Sequence, residues 1–324
     1  MQHAASLFLD SIGQVSALAE MPGVTEVMVN APGDVWIERN GVMSREKANV
    51  TDASLRGAIR ALARLTGQDA VENSPQAIIN ARVGDMRVAA VLAPTAVDGH
   101  ALCIRKHVSR DMRLDDYAAA GAFQKSGIDH ETVESAADGP VEFFRRAVAN
   151  RRTILVSGAT GSGKTTFVNA LIAEIPENER VLTIEDTVEL NVRVPNRVRL
   201  LSNEQAGITT RDLVRLSLRM RPDRIVVGEV RGGEAFDLLQ AFNTGHEGGM
   251  ATIHANSAHL ALHRLATLVM LGAPAGWPIA AIHGLIAQSI DYVAHFRRSG
   301  GKRILSEVVR VKGYDDDYIL ERIL

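Results

Sequence analysis

One cysteine, Cys103, stands alone among 324 residues. A single thiol closes no internal disulfide and builds no multi-cysteine zinc module, which fits a reducing compartment. Aromatic residues are scarce at 4%, and they are not interleaved with basic residues in the pattern that stacks single-stranded bases. Positive charge is not in excess: 36 Lys and Arg face 38 Asp and Glu. Direct sequence-specific nucleic-acid binding is therefore not expected, because a polyanion would need a local basic patch. Long apolar runs are missing as well. The nearest, Trp277 to Ile290, is interrupted by Pro278, His283 and Gln288, so no 18-residue bilayer span is present. The first residues, Met1-Gln-His-Ala-Ala, lack the basic-then-apolar layout of a signal peptide. The expected location is the cytoplasm, with membrane contact only through a partner.

Against these absences stands an ordinary soluble composition, 46% apolar and 23% charged, in a chain long enough for two domains. Its most informative stretch is Gly158-Ala159-Thr160-Gly161-Ser162-Gly163-Lys164-Thr165-Thr166, set directly after the apolar run Thr153–Ser157. The pattern G-x-x-x-x-G-K-T between a strand and a helix is the context of a phosphate-binding P-loop. Its glycines let successive N–H groups point into one concavity at a helix N-terminus, where phosphate oxygens are held. Lys164 would reach the β- and γ-phosphates of ATP, and the Thr165 hydroxyl would hold Mg²⁺. A glycine-rich turn feeding a helix is the plain alternative.

The rest of the chain divides around this loop. Residues 5–20 read as a helix, Glu26–Asn30 and Asp34–Arg39 as strands, and Ala53–Leu65 as a helix capped by Thr51 or Asp52. Strands are expected at Ile78–Val83, Met86–Leu92 and Ala101–His107. Together they make a small α+β domain over 1–107. The Asp-, Arg-, Gly- and Ser-rich segment 108–140, with a short helical stretch around Leu114–Ala120, reads as an interdomain linker. From 141 to 324 strands and helices alternate. Ile154–Ser157, Val181–Ile184, Arg224–Gly228 and Met250–Ile253 are short apolar runs, as for parallel strands buried on both faces. Helical patterns between them stop at Pro176, Pro222 and Gly245, which makes a βαβ series with a mainly parallel sheet.

In such sheets ligands bind beyond the carboxyl ends of the strands. Each of the four strands delivers chemistry there: the P-loop, then Glu185 and Asp186, then Glu229 and Arg231, then His254. Glu229 is placed to orient a water and to hold the metal through water, and Glu185 competes for that role. His246 and His254 flank the fourth strand as candidate γ-phosphate sensors or interface switches. Arg211, Arg215 and Arg219 form a stripe that reads as a solvated face or as charge offered to a neighbouring subunit. His259 and His263 lie four apart on a helix, but with no third ligand in view they read as a solvated face.

Four segments in order resemble the secretion-type traffic ATPases of conjugation, type IV secretion and pilus assembly: Gly158–Thr166, Thr183–Glu189, Leu218–Gly232 and Asn243–Asn256. They look like that family's Walker A, acidic, Walker B and histidine boxes. The chain length, the run Glu26–Glu38 and the ending Glu307–Tyr314 look most like the TrbB-like conjugal-transfer branch. Tight-adherence pilus ATPases are similar by motif but carry a longer N-terminal region. The lone cysteine argues against branches with a four-cysteine zinc module. The resemblance implies an α/β fold, in which a RecA-like P-loop NTPase domain follows a smaller α+β (PAS-like) domain. It also implies a homo-hexameric, ATP- and Mg²⁺-dependent ring, peripheral at the inner membrane and in contact with membrane components of the machine. Arg87 in Gly84-Asp-Met-Arg87 and Arg105 in Cys103-Ile-Arg105 match arginines that this family places on the bound phosphates. On that reading ATP is clamped between the P-loop and Arg87 and Arg105, and loss of the γ-phosphate frees the first domain to swing about the 108–140 linker. A RecA-like nucleic-acid motor is the more distant alternative.

Overall fold

The computed structural model describes residues 2–106, 139–299 and 302–324. The expected 108–140 linker and its short helix fall outside these residues, apart from Gly139 and Pro140.

The N-terminal part is built on a six-stranded antiparallel sheet. Its strands are β1 (Val24–Ala31), β2 (Asp34–Arg39), β3 (Val42–Glu46), β4 (Ile78–Val83), β5 (Met86–Val91) and β6 (Ala101–Lys106), in the order β3-β2-β1-β6-β5-β4. The helix expected over 5–20 is two helices, α1 (Gln2–Ser11) and α2 (Gly13–Glu20). Ile12 leaves helical geometry between them (φ −113°, ψ 26°) while its side chain stays buried, and Gly13 is a poor helix former next to it. Helix α3 (Asp52–Leu65) starts on a reciprocal cap between Thr51 and Ser54, which satisfies two otherwise orphaned N–H groups. It buries Leu55, Ala58, Ile59 and Leu62 at helical spacing.

The C-terminal part is an eight-stranded sheet of order β14-β13-β12-β7-β11-β10-β8-β9. The four expected strands are β7 (Ile154–Gly158), β8 (Val181–Glu185), β10 (Arg224–Val227) and β11 (Met250–Ile253), all buried and parallel. The edge strand β9 (Arg197–Leu201) adds to β8 in parallel, and β12 (Tyr292–Ser299) adds to β7 in parallel. An antiparallel tail, β13 (Lys302–Asp315) and β14 (Asp317–Arg322), completes it. The helices are α4 (Pro140–Ala149), α5 (Lys164–Ile172), α6 (Thr210–Ser217), α7 (Glu234–Phe242), α8 (Ala258–Gly272) and α9 (Ile279–Ser289). No helix among the described residues is long and apolar enough to cross a membrane.

The two parts meet along β9 and at the amino ends of β8, β9 and β10. Ala96 bridges Leu200, and Leu201 N donates to the Thr95 carbonyl at 2.7 Å, so the segment before β6 covers a sheet edge that would otherwise be open to pairing. Arg180, fully buried, donates from Nη1 to Asn30 and Asn196 at 2.5 Å and from Nε to the Met220 carbonyl. Arg221 pairs with Glu38, and Arg199 grips Asp98 with two nitrogens. The Arg180 and Arg221 contacts occupy the amino edge, whereas those of Thr95 and Ala96 reach the carboxyl end of β9. The P-loop lies at the carboxyl end of β7, with β11, β10 and β8 between it and β9.

Candidate active site

The P-loop leaves β7 at Gly158, whose φ of +151° is one that side chains rarely adopt. A Cβ there would lie 2.4 Å from the Phe296 carbonyl and 2.6 Å from Ser162 Oγ. Gly161 (φ +69°) and Gly163 (φ +101°) supply two further left-handed positions, and α5 begins at Lys164. Ala159, Thr160 and Gly161 are exposed at the rim, Ser162 is buried beneath them, and Thr165 and Thr166 stand on the first turn of α5. Ser162 Oγ is a buried polar atom without a hydrogen-bond partner.

Lys164 is only 7% exposed. Its Nζ donates to the carbonyls of Gly158 (3.0 Å) and Ala159 (3.1 Å) and to His254 Nδ1 (3.3 Å). Burial pushes its pKa down, partly opposed by Glu229. On its other nitrogen, His254 Nε2 is 3.0 Å from Glu229 Oε1. An ammonium can only donate, so His254 Nδ1 accepts and Nε2 carries the proton toward the carboxylate. Glu229 then takes a second bond from Arg231 (2.8 Å), and Arg231 also pairs with Asp186. One chain of polar contacts thus links the ends of β7, β11, β10 and β8, strands that pair in register near their carboxyl ends (Ser157 with Ile253, Val227 with Ile184).

The two glutamates differ. Burial alone would raise the Glu229 carboxyl, but the bond from Arg231 and the nearby His254 and Lys164 outweigh it and hold the carboxyl below its ordinary value. Glu185 is 4% exposed, and burial raises its pKa. Its Oε1 accepts from Glu189 N (2.8 Å) and Leu190 N (2.7 Å), which ties down the loop after β8. Both line a cleft of about 390 Å³ with Asp186, Arg231 and Glu234. Glu234 went unnoticed in the sequence, although it opens a helix directly after Gly232-Gly233. It is almost buried, and its Oε1 accepts from the N–H groups of Arg231 and Gly232, so it fixes the backbone that aims Arg231.

Three expectations find different surroundings. His246 does not join His254. It precedes β11 while His254 follows it, and Gly249 in the same loop accepts from Ile154 N at the start of β7, so His246 belongs to the amino edge. Its Nδ1 is buried without a partner, and burial lowers its pKa. Arg87 and Arg105 face each other across β5 and β6, yet they line a separate pocket of about 510 Å³ with Leu218 and Arg219. Those two residues lead into the amino end of β10, so one chain does not bring its own Arg87 and Arg105 to its P-loop. Arg105 instead lies 3.4 Å from the buried Glu26. The arginine stripe is mostly spent inside the chain: Arg211 and Arg215 both bond Asp237 on α7, at 2.5 and 2.8 Å.

A family model described as "Type II/IV secretion system protein" matches residues 9–299. The conjugal transfer protein TrbB of Rhizobium radiobacter is 35% identical over 313 residues, 95% of this chain and 90% of its own length. The type IV secretion system protein PtlH of Bordetella pertussis is 36% identical over 311 residues, 89% of each chain. Among solved structures, the VirB11 ATPase from the Brucella suis type IV secretion system, crystallised with sulphate, superposes with a TM-score of 0.86 at 32% identity over 95% of both chains. On the extent of these matches, the chain belongs to the type II/IV secretion system protein family.

Proposed function

We propose that this chain is a Mg²⁺-dependent ATPase that powers a type IV secretion or conjugal-transfer apparatus. The observation that carries the proposal is the contact chain Lys164–His254–Glu229 at the ends of three neighbouring strands. It joins a phosphate-binding lysine to a carboxylate suited to orient water. With ATP bound, Lys164 would exchange the Gly158 and Ala159 carbonyls for phosphate oxygens, the Thr165 hydroxyl would hold Mg²⁺, and the backbone N–H groups of 159–166 would cradle the phosphates. Glu229, kept ionised by Arg231, orients the attacking water. Glu185 shapes the loop after β8 and would hold the metal through water. His254 transmits the state of the lysine to Glu229.

We place Arg87 and Arg105 on the nucleotide of a neighbouring subunit, since their pocket is lined by Leu218 and Arg219, next to the amino end of β10, and by no residue of their own P-loop. A closed ring, a hexamer in this reading, supplies that neighbour. Such a ring would be cytoplasmic and held at the inner membrane by other components of the machine. The names of TrbB, PtlH and VirB11 support the transport assignment. The test is steady-state ATP turnover by purified protein with and without Mg²⁺, beside Lys164→Ala. Mg²⁺-dependent turnover that Lys164→Ala abolishes is expected. A well-folded sample that never consumes ATP overturns the reading. Loss of turnover on Arg87→Ala, rescued by mixing with Lys164→Ala, tests the neighbour's part.

A further inference from the structure

The pair His259 and His263 has a third member that spacing along the chain could not reveal. Asp317 lies 54 residues beyond His263, and the turn between β13 and β14 folds it onto α8. His259 Nε2 is 2.9 Å from both carboxylate oxygens of Asp317, and His263 Nε2 is 3.1 Å from Oδ1. The two Nε2 atoms are 3.3 Å apart. One ligand atom from each residue lies within 4.8 Å of the others.

Hydrogen bonds alone serve this triangle poorly. Each imidazole needs a proton on Nε2 to bond the carboxylate. Two N–H groups aimed at one carboxylate then face each other at 3.3 Å and repel. If one nitrogen gives up its proton, its lone pair faces a carboxylate oxygen with nothing between. A cation among the three removes the conflict, because each then presents a lone pair. The size is also right: nitrogens bound at about 2.0–2.1 Å in a tetrahedral zinc site are about 3.3 Å apart. Residues i and i+4 on a helix share one face, so both rings can address one ion.

The ligands are braced from behind. Tyr318 N donates to Asp317 Oδ1 at 2.7 Å. The His263 ring packs edge-on against Tyr318 and His283, at centroid distances of 5.3 and 5.6 Å. His283 in turn stacks on Tyr314 and holds the Tyr318 hydroxyl at 2.7 Å. Such support limits the rotamers a ligand can take. The three ligands are 39–60% exposed, which leaves a fourth position for water and a path for the ion. Two imidazoles with one carboxylate suit zinc, whereas Mg²⁺ and Ca²⁺ take oxygen ligands.

We propose that His259, His263 and Asp317 bind Zn²⁺ and so pin the β13–β14 hairpin to α8, apart from the nucleotide site. The test is a zinc titration of the chelator-treated full chain against a chromophoric chelator, with millimolar Mg²⁺ and no nucleotide. One zinc per chain is expected, and zinc should raise the melting temperature. Asp317→Asn and His259→Gln should each weaken binding at least about tenfold, and His259→Gln/His263→Gln should remove it together with the melting response. Lys164→Ala should keep the site. Cobalt substitution of the unaltered chain gives an independent readout, a visible d–d band that zinc displaces. Absence of stoichiometric zinc and of that band, or binding unchanged in the folded double variant, would overturn the proposal and leave surface His–Asp ion pairs.

Discussion

At the amino edge of the large sheet, Arg180 and Arg224 are fully buried, and Arg224 holds the buried Glu179 with Nε and Nη2 while also bonding the Val148 carbonyl. At the carboxyl edge of the same sheet, Arg231 is 61% exposed and Glu229 17%, and their partners are within reach of solvent. The two edges use the same residue types for different ends. Buried charges that lose a partner stay uncompensated, so the amino edge is fixed. Exposed pairs contribute little to stability and rearrange at little cost, so the carboxyl edge can trade its contacts for a ligand's. Charge alone does not mark a site. Charge that is positioned by the fold yet still exchangeable does.

Breaking one edge should therefore unfold the protein, and breaking the other should silence it. The largest effect on folding is expected from Arg224→Ala or Glu179→Ala, each destabilising by about 3–5 kcal/mol in urea unfolding. The double variant should cost less than the two losses added, because each single change strands the other charge. Next comes Arg231→Ala. A hydrogen bond to a charged group contributes about 1.5–3 kcal/mol, so its loss should slow turnover roughly 10–100-fold. The unfolding free energy should move by less than about 1 kcal/mol. A large loss of stability in Arg231→Ala would erase the contrast between the edges.

The smallest expected effect is at the clip joining the two parts of the chain. The bond from Arg199 holds the Asp98 carboxyl below its ordinary value despite partial burial. A lowered folded pKa means stability that is fully present above the unfolded value, about 3.9, and is lost as pH falls through the folded one. Asp98→Asn should thus cost under about 1 kcal/mol at neutral pH, the pair being partly exposed. The gap between variant and parent should close in acid below the carboxylate range. A gap that persists there would assign the effect to packing.

The fold is most legible in the amino-acid sequence where chemistry and periodicity coincide. The four parallel strands are near-continuous apolar runs, and the P-loop spells out its own turn geometry, so their shared edge follows from the sequence. β9 was hidden because Arg197-Val-Arg-Leu-Leu201 is short and carries two arginines, unlike the continuous apolar runs of its parallel neighbours, and β3 because it is short and its Val42 is exposed. The histidine pair around β11 misled for a geometric reason. Residues on either side of a strand are close in sequence but emerge at opposite edges. Arg87 and Arg105 carried a motif but no direction, because only the docking on β9 sets which way their sheet faces. Asp317 required a long-range fold that local spacing does not encode.

In the proposed mechanism, the role of Glu229 is to activate water beside a nucleotide held by the P-loop. It is tested most directly by measuring ATP binding and single-turnover hydrolysis in Glu229→Gln, which keeps the side chain's shape and removes its charge. The expected result is ATP affinity close to that of the unaltered chain with hydrolysis reduced by at least about a hundredfold. Hydrolysis at the unaltered rate would contradict the account.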